Sequence, residues 1–349
     1  MTSPELTKEN IDWANLGFDY RATKYRFVAT YKDGAWSEGE LTENQMVQVH
    51  EGSTSLHYGQ QCFEGMKAQT AKDGRVLLFR PDLNAERLRN SCDRLSMVEV
   101  PEELFIRGIK EAVRANYSVI PPYGSGAALY IRPLLLGTGE NLGLRPAPEY
   151  EFRVFVSPVG PYYKGTGLSL IKLAVTDYDR AAPSGTGHVK VGGNYAGGFV
   201  ATKNAKELGA NEALYLDAAT RTYLEEAGSA NIVISQSGNR LITPKSDAIL
   251  PSITRRSVMQ IAKDELGMET EERPIHFVNE FSTFEEMGAC GTAAVISPVQ
   301  SILYQNEWMH MQNSRDGVGP VMQKLYNSLT QLQKGEREDN FGWTVEVEI

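Results

Sequence analysis

The stretch His188–Gly198, HVKVGGNYAGG, surrounds a single lysine, Lys190, with glycines and places Tyr195 five residues on. A lysine amine becomes a nucleophile or a carbonyl-condensing group when desolvation lowers its pKa, and flanking glycines let the backbone approach a bulky group closely. Taken alone, the stretch is more commonly an inert loop lysine beside a half-buried aromatic. Three further segments bear on that choice. YLEEAGSANIVIS sets Glu225 and Glu226 at a small-residue corner. A partly buried carboxylate there can pair with a protonated ring nitrogen, whereas a solvated turn carboxylate is the ordinary alternative. LPSITRRSV opens a helix at Ser252, whose free N–H groups and dipole form either an anion site or a plain helix cap. In CGTAAVISP, Gly291 and Thr292 offer a second close backbone approach to a phosphate, or a tight β-turn.

Other chemistries lose their support. The five histidines show no HExxH or related ligand spacing, so no metal site is expected. No GxGxxG lies between a strand and a helix, no GxxxxGK[ST] occurs, and GSA at 228–230 is not a nucleophile elbow. Acidic residues number 44 against 35 basic ones, a net charge of -9, which argues against nucleic acid or an anionic membrane surface as partner. Cys62, Cys92 and Cys290 have no CxxC spacing, which fits a reducing compartment and not a disulfide framework. With no apolar run of membrane-spanning length and no apolar leader in MTSPELTKENIDW, a cytoplasmic, soluble protein is expected.

The elements that must position these residues read as α+β. Tyr25–Leu41 has two short β-prone runs around Lys32-Asp33-Gly34, a hairpin signal. FEGMKAQT and RVLLF flank a second turn at 71–74, and Pro81 starts a helix carrying Leu83, Leu88 and Leu95. A second amphipathic helix is expected from Glu102 to Ile120, ahead of Pro121-Pro122. AALYIRPLLLGTG and YEFRVFVSPVG read as buried strands. The Pro- and Gly-rich segment after them divides the chain into a small domain over 1–160, an interdomain loop over 161–174 and a large domain over 175–349. In the large domain a helix is expected over GFVATKNAKEL, ended by Gly209, and the clearest helix of the chain over Ser252–Gly267.

KVGGNY, YLEEAGSANI, LPSITRRSV and GTAAVISPV, in this order and at these separations, resemble the branched-chain amino acid aminotransferases, fold-type IV enzymes that use pyridoxal 5′-phosphate (PLP). LHYGQQCFEGMKA, LFRPDLNAERLRNS and LYIRPLLLG are similar to that family's small domain, so the resemblance runs from about Asp12 to the final helix. It implies a small N-terminal α/β domain and a larger pseudo-barrel domain. It also implies roles: Lys190 joins the cofactor and shuttles the α-proton, Tyr195 meets the ring O3′, and Glu226 holds the ring nitrogen protonated, with Glu225 facing the other way. For the phosphate it implies Arg87, the N–H groups of Ile253 and Thr254, and Thr292, with Ser229 and Arg180 in support.

For substrate, the resemblance implies an apolar pocket of Tyr58, Phe63, Tyr130, Tyr162 and Ala293, with Arg132 meeting the carboxylate of glutamate beside the Tyr130 hydroxyl. Leu, Ile or Val would exchange their amino group with 2-oxoglutarate. A homodimer is implied too, with ENLGL (Glu140–Leu144) completing the partner's pocket. Mammalian members carry a redox-sensitive CxxC where this chain has Ala294 and Ser297, so that switch is not expected. D-amino acid aminotransferase and aminodeoxychorismate lyase share the lysine, glutamate and phosphate site. An inert glycine loop in a binding module is the reading from another class.

Overall fold

Asp33 and Gly34 take positive φ angles of 53° and 86°, the geometry of a two-residue I′ hairpin turn. They fold β1 (Arg26–Lys32) onto β2 (Ala35–Trp36) with Lys32 opposite Ala35. The computed structural model describes residues 6–160 and 168–349. These form two compact units, the first holding 6–160, Lys190–Gly192 and Gln331–Ile349, the second 168–189 and 193–330.

In the first unit, β3 (Glu40–Thr42) and the short helix α1 (Thr54–His57) precede β4 (Gln61–Phe63), β5 (Met66–Thr70) and β6 (Val76–Phe79). Then come α2 (Pro81–Arg94), α3 (Glu102–Ala115), β7 (Ala128–Gly137) and β8 (Tyr150–Val159). One antiparallel sheet runs from the C-terminal strand Thr344–Val347 through β6, β5, β7, β8 and β1 to β2, with β3 on β1 and β4 on β7. Side chains alternate across it: in β7, Leu129, Ile131 and Leu135 are buried while Tyr130, Arg132 and Leu134 are half-buried. Leu135 lies opposite Phe152 of β8, whose ring stacks on Phe105 of α3. The helical layer therefore covers the Leu129–Ile131–Leu135 face, and the Tyr130–Arg132 face is the other one.

Two expectations change here. α3 stops at Ala115 and not at Ile120, because the Asn116 side chain leaves the helix to donate to Tyr25 O and Ala112 O and to accept from Tyr25 N. Residues 331–349 belong to the first unit, not to a domain over 175–349. Their strand pairs residue by residue with β6, from Thr344 opposite Phe79 to Val347 opposite Val76. Just before it, Trp343 O accepts from Arg80 N while the Arg80 guanidinium lies 4.6 Å over the indole ring. The signal that could have found it is the alternation of Val345, Val347 and Ile349 with Thr344, Glu346 and Glu348. Part of the expected loop 161–174 lies outside the described residues.

The second unit comprises β9 (Ile171–Val175), α4 (Gly192–Glu207, from its second residue), β10 (Glu212–Leu216), β11 (Leu224–Ala227), β12 (Asn231–Gln236) and β13 (Arg240–Pro244). It continues with α5 (Ile253–Asp264), β14 (Glu269–Arg273), α6 (Phe277–Glu280), β15 (Phe284–Gly291), β16 (Val295–Tyr304), β17 (Glu307–His310) and most of α7 (Pro320–Gln333). Its sheet is mixed, in the order β11-β10-β9-β16-β15-β12-β13-β14, with β17 on β16. The two ends of that order meet: Leu224 N donates to Ile275 O at 2.9 Å and Phe277 N to Thr222 O at 3.0 Å. The sheet thus curls into a pseudo-barrel around Leu173, Leu214, Ile232, Ile234, Met287 and Val299. The fold is α+β, as the composition of elements predicts.

Packing in the first unit sets up a test in which two effects oppose one another. Alanine in place of a mid-helix glycine stabilises by up to about 1 kcal/mol. At Gly108 of α3, however, a Cβ would stand 2.7 Å from Cδ1 of Phe27, a ring that is fully buried and has nowhere to move. Overpacking of this kind costs about 1–3 kcal/mol, so Gly108→Ala should lower the thermal unfolding midpoint; a raised midpoint would contradict the packing.

Candidate active site

Lys190 is held by its backbone before its side chain does anything. Its N–H donates to Ser91 Oγ at 3.1 Å, its C=O accepts from Phe63 N at 3.1 Å, and the next residue, Val191, bridges to Cys62 of β4. Nζ lies 4.8 Å from the centre of the Phe63 ring. Ser91 in turn donates to Arg87 O one helical turn earlier on α2. The helix after the lysine starts at Gly192 and not at Gly198 as expected, so Tyr195 sits in its first turn, half-buried. The glycines serve different ends. A Cβ on Gly192 would strike Gln61 Nε2 at 1.7 Å, so this glycine permits a close approach to β4, whereas Gly193 and Gly197 have nothing within 4 Å.

Arg87 is 5% exposed and forms a two-pronged ion pair with Glu64, Nε to Oε1 at 2.8 Å and Nη2 to Oε2 at 2.7 Å. Asn84 Nδ2 adds a third bond to Glu64 Oε2 at 2.7 Å. Glu64, fully buried within FEGMK, was not singled out by sequence reasoning. A carboxylate flanked by Phe and Gly carries no spacing signal, and its partners lie 20 and 23 positions away.

On the open sheet face, Arg132 lies 4.8 Å from the Phe63 ring centre and 5.3 Å from that of Tyr130. Its Nη2 donates to the Tyr130 hydroxyl at 3.2 Å, and its buried Nε has no hydrogen-bond partner among the described residues. Lys67 is opposite Tyr130 in the ladder, and burial, with Lys334 as the lesser cause, pushes its ammonium down to about 8. Phe63, Tyr130 and Arg132 are thus brought together, with Lys190 against the same ring. Tyr58 is 46% exposed and donates to Leu142 O at 2.7 Å, which ties it to the 140–144 loop. Tyr162 lies outside the described residues. Cys62 and Cys92, unremarked as a pair in the sequence, bring their sulfurs to 4.0 Å in the core.

In the second unit, Glu226 is 2% exposed. Its Oε1 accepts from Arg180 Nε at 2.5 Å and from Leu250 N at 3.1 Å, and its Oε2 from Asn231 Nδ2 at 2.6 Å. Glu225 points to Ser246 instead, as strand alternation requires, yet it too is buried, and burial pushes its carboxyl upward. Arg180 departs from its expected place on a phosphate. Besides Glu226 it grips Gly187 O and Ala248 O, each at 3.1 Å, and is spent on the carboxylate and the loop ahead of the lysine. That loop is tied again by Asn194, which donates to Thr186 O and Val189 O.

Ser252 caps α5 by accepting from Arg255 N at 3.1 Å. The N–H groups of Ile253 and Thr254, in the first turn, have no acceptor within the helix. Pairing of Asn231 with Cys290 brings the corner holding Ser229 beside Gly291, and Thr292 and Ala293 follow in the β15–β16 turn. That turn ends on Val295 at φ 63°, a left-handed conformation costing a β-branched residue about 1–3 kcal/mol. Among the described residues no cluster of His, Cys, Asp or Glu is arranged to hold a metal ion, and no helix is long and apolar enough to cross a membrane.

Comparison with known proteins follows the same lines. The family model for class IV amino-transferases matches residues 61–302. The branched-chain-amino-acid aminotransferase of Haemophilus influenzae is 52% identical over 345 residues, covering 97% of this chain and 100% of that one. Among solved structures, the Escherichia coli branched-chain amino acid aminotransferase superposes with a TM-score of 0.79 at 26% identity, covering 93% of this chain and 99% of the other. The branched-chain aminotransferase of the thermophilic archaeon Thermoproteus uzoniensis, solved with norvaline, gives 0.76 at 27% identity, over 92% and 100%.

The two adjacent glutamates separate by pH. Glu225 has a folded-state pKa above its unfolded value of 4.5, so its protonated form favours the fold. That contribution is full below the unfolded pKa and is lost as pH rises through the folded one. At neutral pH the buried charge is a net cost. Glu225→Gln should therefore stabilise the protein at pH 7 and lose its advantage below about pH 4.5; denaturant midpoints across that range check the sign.

Proposed function

From the premise that this chain belongs to the class IV aminotransferases, we propose that its residues move an amino group between branched-chain L-amino acids (Leu, Ile, Val) and 2-oxoglutarate. Its cofactor is PLP, which when bound supplies an aldehyde for the amino group and a protonated ring that withdraws electrons from the substrate's α-carbon. The residues present fit that group. A carboxylate as buried as Glu226 persists only with charge-assisted donors, and Arg180, Leu250 N and Asn231 are such donors. An ionised, dry carboxylate is what a protonated pyridine nitrogen pairs with. The first turn of α5, with Thr292, supplies N–H and hydroxyl groups suited to a phosphate dianion, while Arg87, the guanidinium expected there, is engaged with Glu64. Ser229 lends its corner to the same anion, and Arg180 acts through Glu226.

Lys190 holds the cofactor and carries the proton to and from the substrate's α-carbon. The observation that carries this role is the double backbone clamp from Ser91 and Phe63, which fixes the main chain and leaves movement to the side chain. Tyr195 donates to the cofactor's ring oxygen. In the first unit Phe63 and Tyr130 supply apolar wall for the side chain, where each buried methylene adds about 0.8 kcal/mol. Arg132 and the Tyr130 hydroxyl meet the distal carboxylate of glutamate.

The active form is proposed to be a cytoplasmic homodimer. The loop supporting it is built in place: Asn141 donates to Arg145 O, Tyr58 to Leu142 O, and Leu142 and Leu144 are left 78% and 90% exposed. Apolar residues so displayed by an ordered loop fit burial against a second copy, and Tyr58 would go with them.

Lys190→Ala should abolish turnover and the visible colour change on adding leucine to PLP-loaded enzyme, whereas Glu226→Gln should retain colour and lose at least about tenfold in kcat. Near-normal turnover of the lysine variant would overturn the reading. Arg132→Ala should weaken kcat/KM for glutamate by about tenfold or more while leucine changes little; equal losses would remove its role.

A further inference from the structure

Resting on that assignment of Tyr130 and Arg132, we propose that Gly65 is a specificity-determining residue: its missing side chain is the space in which the Tyr130 hydroxyl lies. A Cβ built on Gly65 would stand 2.1 Å from Tyr130 Oη and 3.0 Å from Cζ. The glycine is not there for its backbone freedom, because it is not among the positive-φ glycines and its conformation admits alanine. What it permits is contact.

Neither partner in that contact can easily yield. Gly65 N donates to Glu64 Oε2 at 3.3 Å and Gly65 O accepts from Asn84 Nδ2 at 3.4 Å, and Glu64 is itself gripped by Arg87. On the other side, Phe18 packs edge-on against the Tyr130 ring with centroids 5.0 Å apart. A methyl group at 65 must therefore displace the tyrosine hydroxyl from the position where it accepts from Arg132 Nη2. As an acceptor from arginine, that hydroxyl turns its own proton outward, toward any carboxylate the guanidinium attracts. Moving it tilts the Tyr130 ring, which still presents hydrocarbon, and disables the paired donors. A branched aliphatic side chain needs only the walls, whereas a distal carboxylate needs both donors. Gly65 thus governs acceptance of the dicarboxylate substrate without touching the amino-group chemistry.

The test uses PLP-loaded enzyme and two unreactive acids, glutarate and 4-methylpentanoate, titrated calorimetrically, with kcat/KM for glutamate and leucine measured in parallel. Gly65→Ala should weaken glutarate binding and glutamate turnover by about tenfold or more, the scale of a lost charge-assisted hydrogen bond, and change 4-methylpentanoate and leucine by less than about threefold. In a double-mutant cycle the glutarate loss of Gly65→Ala with Tyr130→Phe should not exceed that of Tyr130→Phe alone, because the methyl acts through the hydroxyl. Equal losses on both acids, no loss on either, or full additivity in the cycle would overturn the proposal. If Gly65→Ala fails to fold, Tyr130→Phe should restore folding by removing the clashing oxygen, and failure to do so overturns it as well. Arg132→Ala separates the two levels. If it discriminates between the acids and Gly65→Ala does not, only the glycine inference falls; if it does not discriminate, the carboxylate assignment falls with it.

Discussion

The buried ion pair between Glu64 and Arg87 is the constraint on which the first unit's chemistry depends. A carboxylate with no exposure at all carries a desolvation cost of several kcal/mol unless its partners are fixed in good geometry. The guanidinium fork and the Asn84 amide meet that demand, and both come from α2. The helix is thereby held in one register against the strands. One turn beyond Arg87, Ser91 holds the N–H of Lys190, and the residue before Glu64, Phe63, holds its carbonyl. The residue after Glu64 is Gly65, seated under Tyr130. A slip of α2 by one residue would strand a buried charge and release the lysine, so one interaction enforces both.

This explains why the site was only partly legible in the sequence. The glycines around Lys190 and the small residues after Glu225-Glu226 are local features, but alone they favour an inert loop lysine and a solvated carboxylate, and the roles of Lys190, Tyr195 and Glu226 come from the family resemblance. The hairpins around Asp33-Gly34 and 71–74, and the helices begun at Pro81 and Ser252, were equally local and formed as expected. Glu64 and Asn84 were not legible, because a buried polar group is defined by its distant partners. The limits of local reasoning show also in the glycines: Gly192 reads like Gly193, yet only Gly192 has a neighbouring side chain, the Gln61 amide, in the space a Cβ would take. The left-handed Val295 breaks a residue preference and could not have been foreseen from a valine.

Arg180 shows the same limit for charge. An arginine near a phosphate-binding sequence is naturally assigned to the phosphate, but its partner is decided by which anion lies across from it. Here that anion is Glu226, and the guanidinium also spans Gly187 O and Ala248 O. A Cβ on Gly187 would meet Ala248 O at 2.1 Å, so the two backbones touch where Arg180 joins them. The carboxylate and the loop ahead of the lysine are thereby fixed by one side chain, and moving either disturbs the other.

A pocket serving both leucine and glutamate must be dry enough for one and charged enough for the other. The arrangement of Arg132 resolves that conflict within the first unit. Its guanidinium is flanked by the Phe63 and Tyr130 rings at 4.8 and 5.3 Å, and such aromatic faces stabilise a cation while presenting hydrocarbon to their surroundings. The charge is thus screened laterally by apolar surface rather than by water. Its Nε is buried and without a partner among the described residues, which in the proposed reading leaves a donor for the substrate's carboxylate. An aliphatic side chain leaves that donor unpaired and gains from the rings, whereas a carboxylate gains from the donor and forgoes some apolar contact. On the proposed assignment the two substrates draw on different parts of one surface, and a change that acts on the Tyr130 hydroxyl would therefore separate them.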